Sequence, residues 1–198
     1  CLRHLKRTQD WDALNIVVID DGSTDGTAAA IRDEFPSVVI IEGGGDLWWT
    51  GAIVEGMEFA LEQNASVLVW LNDDVRPDEG ALDRLARCVD ERNGDVLSAK
   101  VETDDAHSFT SCHDRTVFGV QDVEYDESAL NGEDGQFVET GIQYCDILSG
   151  KLVAFPREVV DDVGLPDTHR FPHHKADYDY TLRVTEYGHS VGVLHDAT

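Results

Sequence analysis

Three groups of carboxylates carry the chemistry in this chain: Asp20-Asp21, Asn72-Asp73-Asp74 and Asp177-Tyr178-Asp179. The first pair closes the apolar run Ile16-Val17-Val18-Ile19 and precedes Gly22-Ser23-Thr24-Asp25-Gly26-Thr27. A Gly/Ser/Thr turn before a helix can cradle a phosphate, but Asp20, Asp21 and Asp25 would repel one. A carboxylate there can instead accept a hydrogen bond from a ribose hydroxyl or a base N–H. Uracil and thymine carry a donor at ring N3, where cytosine has an acceptor, so this position favours uridine or thymidine nucleotides. The simpler role is capping a turn.

Adjacent carboxylates such as Asp73 and Asp74 repel each other unless a cation bridges them. Oxygen ligands of this kind suit Mg2+ or Mn2+, bound together with substrate phosphates. In an acidic protein such an ion would also neutralise a pyrophosphate. The alternative is a solvated acidic turn. Asp177 and Asp179 follow His173-His174-Lys175-Ala176 at an expected helix start, where the dipole favours ionised carboxylates. An ionised Asp facing a cleft can serve as general base toward an alcohol, and Arg183, one turn beyond Asp179, could hold that acid in place. Helix capping is the competing role. His195, after Val191-Gly192-Val193-Leu194, is a lone histidine of the kind that is usually structural. His107 and His113 around Cys112 lack zinc spacing.

These groups need a frame. Short β-branched runs predict buried strands at Asn15–Asp20, Ser37–Ile41, Ser66–Leu71 and Val96–Val101. Helices are expected at Cys1–Gln9 (Leu2 and Leu5 on one face), from Ser23-Thr24-Asp25 to about Phe35, at Gly51–Gln63 and from Pro77-Asp78 to about Arg92. Gly43-Gly44-Gly45 opens a loop carrying Trp48 and Trp49. This alternation implies an α/β fold, a Rossmann-like mixed and mostly parallel sheet flanked by helices. Ligands bind at the carboxyl ends of the strands in such sheets, which is where Asp20-Asp21 and Asn72-Asp73-Asp74 fall. Asp104–Gln143 alternates β-prone pieces with acidic turns and predicts a small β-hairpin region at the sheet edge. Beyond it come Ile147–Phe155 as strand or strand–turn, helices at Arg157–Val163 and Asp177–Tyr187, and a strand at Val191–Leu194.

At 198 residues one domain is expected. Its nucleotide-binding part would span about 1–103 and its acceptor side about 104–198. The formal net charge is −25, from 40 Asp+Glu against 15 Lys+Arg, and only Lys6, Lys100, Lys151 and Lys175 are lysines. With 41% hydrophobic residues the chain is not disordered, and this combination suggests a salt-loaded cytoplasm, where screening shortens repulsion to about 3 Å at molar salt. The charge argues against nucleic acid and anionic membranes as direct partners. Cys1, Cys88, Cys112 and Cys145 are scattered, so free thiols in a reducing compartment are expected. No apolar stretch approaches the ~20 residues of a membrane span, and no signal peptide is visible.

Taken in order, the segments resemble inverting glycosyltransferases of family 2, which have the GT-A fold. Ile16–Thr27 is similar to the family's first nucleotide-binding signature, and Leu71-Asn72-Asp73-Asp74 to its metal-binding region. Gly150-Lys151-Leu152-Val153 through Gly164-Leu165-Pro166-Asp167 is similar to its acceptor-side segment. Asp177-Tyr178-Asp179 with Arg183 is similar to its catalytic-base motif, and Gly43–Ala52 resembles the rhamnosyltransferase-like branch. The resemblance implies that Asp21 contacts uracil or thymine with Asp20 beside it, that Asp73 touches the ribose or donor sugar, and that Asp74 binds the metal. It also implies that Asp177 deprotonates the acceptor, that His195 completes the metal shell, and that Trp48 and Trp49 wall the donor site, one of them packing into the core. The expected donor is a UDP- or dTDP-sugar, rhamnose included; the expected acceptor is a glycan or lipid-linked hydroxyl in polysaccharide biosynthesis. The expected location is the cytoplasm or its membrane face, with a homodimer left open. Three departures stand out. The family's first strand, with its Thr-Tyr-Asn-like turn, is expected upstream of Cys1. Asn72 stands where the metal motif often has an Asp, and Asp46 and Val54 where the rhamnosyl branch often has Asn. The rival readings are a sugar-1-phosphate nucleotidyltransferase, a phosphorelay receiver and a non-catalytic acidic cation-binding module.

Overall fold

A computed structural model describes residues 1–92, 94–100, 111–117, 119–123 and 141–197. Its elements are α1 (Leu2–Thr8), β1 (Val17–Asp20), α2 (Thr27–Glu34), β2 (Val39–Glu42), α3 (Trp48–Glu62), β3 (Val67–Leu71), α4 (Ala81–Glu91), β4 (Asp95–Ala99), β5 (Cys112–Thr116), β6 (Gly119–Asp122), β7 (Ile142–Cys145), β8 (Ile147–Leu148), β9 (Leu152–Pro156), α5 (Arg157–Val163), α6 (Ala176–Glu186) and β10 (Ser190–Leu194). His107 and most of the expected 104–143 hairpin region lie outside the described residues; the pair β5–β6 lies within it and is an antiparallel hairpin.

The expected mixed α/β architecture is present. A five-stranded sheet runs in the order β3-β9-β4-β10-β7, with β1 and β2 paired separately and a small sheet ordered β6-β5-β8. The pair β1–β2 is parallel, as is β10–β4. Strand β9 inserts antiparallel between β3 and β4, and β7 closes the far edge antiparallel to β10. Helix α3 packs on both β1 and β3 and so links the two sheets. Helix α4 places Leu82, Leu85 and Val89 on one buried stripe against β4 and β9, the spacing an amphipathic helix requires.

An aromatic cluster sits beneath the site. Trp70 of β3 lies 4.3 Å from Phe155 of β9 and 5.5 Å from Tyr180 of α6, and Trp49 of α3 meets Trp70 edge-on at 5.6 Å. Such offset and edge contacts add to the hydrophobic burial. They fix α3, β3, β9 and α6 relative to one another, and each of these elements or the turn beside it contributes to the cleft described below. Tyr180 is fully buried, donates to Gly164 O at 2.8 Å, and burial pushes its phenol well above the ordinary range.

Two expectations need correction. Cys112 of β5 and Cys145 of β7 form a disulfide, so only Cys1 and Cys88 are free thiols. The two cysteines are 33 positions apart, and only the meeting of β5 with the turn between β7 and β8 brings them together. The inference of a reducing compartment loses its footing with them. Trp48 and Trp49 are the first residues of α3 rather than part of a loop. The reason is tertiary, a carboxylate from the turn after β1, Asp21, capping that helix. Local caps moved two other starts. Gly26 at φ 89° and the Asp25 carboxylate on Thr27 N open α2, and Gly80 at φ 70° opens α4.

Candidate active site

A cleft of about 360 Å³ opens between the ends of α3, β3 and α6, lined by Trp49, Asn72, Ser149, Gly150, Lys151, His173, His174, Lys175, Asp177 and Tyr178. Asp177 is the second residue of α6 and half-buried. Its Oδ2 accepts Gly150 N–H at 2.8 Å and its Oδ1 accepts Tyr178 N–H at 3.0 Å. The helix below is anchored by Thr181, whose hydroxyl donates to Asp177 O at 2.8 Å and accepts Leu148 N–H at 3.0 Å. The chain must pass close at Gly150. A Cβ there would lie 2.9 Å from Asp177 Cβ and 2.9 Å from the Trp49 ring. Gly150→Ala should therefore cost about 1–3 kcal/mol, as overpacking does, and displace Asp177. Urea denaturation together with a transfer assay checks this, and an Ala variant with wild-type stability and rate would refute it.

Asp21 is engaged by backbone. Its Oδ1 accepts Gly45 N–H at 2.7 Å, and its Oδ2 accepts Leu47 N–H at 2.9 Å and Trp48 N–H at 3.0 Å. These are orphan donors at the start of α3, which no side chain of its own caps, and a carboxylate there also meets the helix dipole favourably. Asp21→Ala should lower stability by about 2–3 kcal/mol, several charge-assisted bonds being lost; an unchanged denaturation midpoint would sink that reading. Asp20 is buried, and hydrogen bonds from Ser23 hold its carboxyl below the usual range.

At the end of β3 it is Asn72, not an acid, that lines the cleft. Its Oδ1 accepts Trp49 Nε1–H at 3.0 Å. Asp73 and Asp74 are exposed on the turn beyond it. His195 Nε2 faces Gln143 Oε1 at 3.2 Å. Among the described residues no three His, Cys, Asp or Glu side chains gather as a metal site. The exposed carboxylates suit a hard divalent ion that takes the rest of its shell from substrate phosphates.

The profile of glycosyl transferase family 2 matches residues 1–163. The chain belongs to glycosyl transferase family 2. Comparison with curated proteins returns no match. Among solved structures the chain is similar to GalNAc-T7 with UDP, GalNAc and Mn2+, at TM-score 0.72 and 12% identity, over 99% of this chain and 39% of that one. It is similar to S. aureus TarS at TM-score 0.64 and 16% identity, over 98% of this chain and 32% of that one. It is also similar to the mannosyltransferase PcManGT from Pyrobaculum calidifontis in complex with GDP-Man and Mn2+, at TM-score 0.52 and 20% identity, over 96% of this chain and 52% of that one. These likenesses establish the GT-A fold. The chain spans only about a third to a half of these structures.

In this family 2 domain Asp179 lies 4.0 Å from Arg183, whose guanidinium also donates to Leu165 O at 2.8 Å. The pair thus ties α6 to the loop after α5. Trp49 lines the cleft and packs on the core, whereas Trp48 is 55% exposed and stacks edge-on against His173 at 3.9 Å. Sequence reasoning gave no individual role to His113, Ser149 or Tyr178, nor to the cations Lys151 and Lys175. The available signal was the scarcity of lysine and the run His173-His174-Lys175 directly before the candidate base.

Proposed function

We propose that this chain carries the catalytic part of an inverting glycosyltransferase, moving a sugar, rhamnose among the candidates, from a UDP- or dTDP-activated donor to a glycan or lipid-linked hydroxyl. The observation that carries the reading is Asp177, an acid held by two backbone N–H groups at the floor of a cleft walled by Trp49. The acceptor hydroxyl attacks the anomeric carbon in line and Asp177 takes its proton. Trp49 offers an aromatic face to a sugar ring, fixed by its bond to Asn72. Much of the rate comes from holding two substrates together. Asp21 retains lone pairs for a base N–H beyond its three backbone bonds, with Asp20 beneath it and Asp73 toward the ribose. A divalent ion, Mn2+ in two of the similar structures, would be held by Asp74 with the donor phosphates, His195 being a further ligand, and would neutralise the diphosphate. The acidic surface suits work in concentrated salt. No helix among the described residues is long and apolar enough to cross a membrane.

The test is thermal shift with UDP-, dTDP-, GDP- and CDP-sugars in molar KCl, with and without Mn2+ or Mg2+. Saturation at a hundredfold over Kd stabilises by about 2.7 kcal/mol, which at this size raises Tm by roughly 5–10 °C. A shift with uridine or thymidine donors that needs the metal is expected. No shift with any donor would refute the glycosyltransferase reading, and pyrophosphate release from a nucleoside triphosphate would favour the nucleotidyltransferase.

A further inference from the structure

We propose that Lys175 holds the departing diphosphate of the nucleotide donor, and that a hydrogen-bonded chain from Asp122 through His113 to Tyr178 positions it. The proposal rests on the glycosyltransferase reading and adds to it the group that receives the leaving charge.

Lysine is rare here, four residues against 40 acids, yet Lys151 and Lys175 both line the one cleft that holds Asp177. Lys175 is placed at a cost. Its φ is 68°, in the left-handed region that side chains disfavour, at the position just before α6. Strain of this kind persists where the surroundings over-determine it and clusters at functional sites. Its Nζ stands 3.8 Å from the centroid of the Tyr178 ring, within cation–π range. The ring is itself held, since the Tyr178 hydroxyl lies 2.8 Å from His113 Nε2, and His113 Nδ1 lies 2.8 Å from Asp122 Oδ1. A carboxylate only accepts, so Nδ1 carries the proton, and in the neutral ring Nε2 accepts from the phenol. Burial, then Asp177 and Asp122, push the Tyr178 phenol up, so it stays a donor. His113 is 4% exposed, on β5 directly opposite Asp122 of β6. An independent sign of an oxygen-rich ligand is Ser149. It is 5% exposed, lines the same cleft, and its hydroxyl has no hydrogen-bond partner among the described residues.

The chemistry fits an ammonium at this place. As the acceptor oxygen bonds to the anomeric carbon, the bond to the diphosphate breaks and its electron pair stays on the phosphate oxygen, while the proton goes to Asp177. The new negative charge needs a cation, and an ammonium serves phosphate as a point charge. Contact of this kind survives molar salt, where only charges more than about 3 Å apart are screened out.

The test is calorimetric titration of the full chain with UDP, dTDP, GDP and CDP and with the corresponding monophosphates, in molar KCl at fixed Mn2+. For the diphosphate that wild type binds, Lys175→Gln should weaken binding by about tenfold and leave the monophosphate within about twofold, while Lys175→Arg keeps most of the affinity. Tyr178→Phe keeps the ring and loses the bond to His113. It should lower kcat/KM by about threefold with part of the loss in kcat, and His113→Gln, which still offers an acceptor, should restore near-wild-type kcat/KM relative to His113→Ala. Unchanged diphosphate affinity in Lys175→Gln, or an equal loss for monophosphate, overturns the assignment of Lys175. Unchanged kcat/KM in Tyr178→Phe overturns the positioning chain. If wild type binds no nucleoside diphosphate, the glycosyltransferase reading fails first and the Lys175 assignment fails with it.

Discussion

Replacing Asp177 by Asn should slow sugar transfer by about 10²–10⁴-fold, the range a positioned general base supplies, with donor KM little changed. The two side chains have the same shape. The amide oxygen can still accept one of the two N–H groups that now hold the carboxylate, from Gly150 or Tyr178. The other donor is left facing an NH2 group, and stability should drop by about 1–2 kcal/mol. Denaturation curves measured beside the kinetics therefore separate a folding loss from a chemical one. Thermal shift with the donor should be preserved, because in the proposed mechanism Asp177 acts on the acceptor hydroxyl. A variant that transfers sugar at the wild-type rate would remove Asp177 from the mechanism.

Reducing the Cys112–Cys145 disulfide, or replacing both residues by Ala, should destabilise the fold by about 3–4 kcal/mol. A closed loop of this length removes that much chain entropy from the unfolded state, the separation being 33 residues. The bond also ties the small sheet to the edge strand β7. His113, the residue after Cys112, reaches Tyr178 from that small sheet, so reduction should loosen the wall of the cleft as well as the fold. Urea unfolding with and without a phosphine reductant gives the answer. Coincident curves would mean that the two sulfurs contribute nothing as a bond, whereas a shifted midpoint with unchanged slope matches the expectation.

Much of the frame was legible from local pattern. Helix α5 spans Arg157–Val163, the residues its sequence marks out, and α6 begins one residue before the expected start. The apolar runs ending at Asp20 and Leu71 are strands, because short β-branched stretches have few other ways to be buried. Spacing placed acids at strand ends and a helix start. The family resemblance, not the spacing, picked Asp177 from the pair, and Asp177 lines the cleft.

Which of those acids remained available was not legible. Asp20 and Asp21 are equivalent in the sequence, yet Asp21 caps a helix that begins 27 residues later, at Trp48, while Asp20 caps its own turn. Asn72 rather than Asp73 lines the cleft because Trp49 of α3 donates its indole N–H to the Asn72 amide oxygen, while Asp73 lies exposed on the turn beyond β3. The disulfide, the Asp122–His113–Tyr178 chain and the strain at Lys175 likewise join residues far apart in the chain. By itself, then, the sequence determined the elements, the family and the set of chemically able residues, because each is written in short-range spacing and residue type. The tertiary structure alone decided which of them are occupied in holding the fold and which meet in one cleft, because hydrogen bonds and contacts form between whatever the packed sheet and helices bring within a few ångströms.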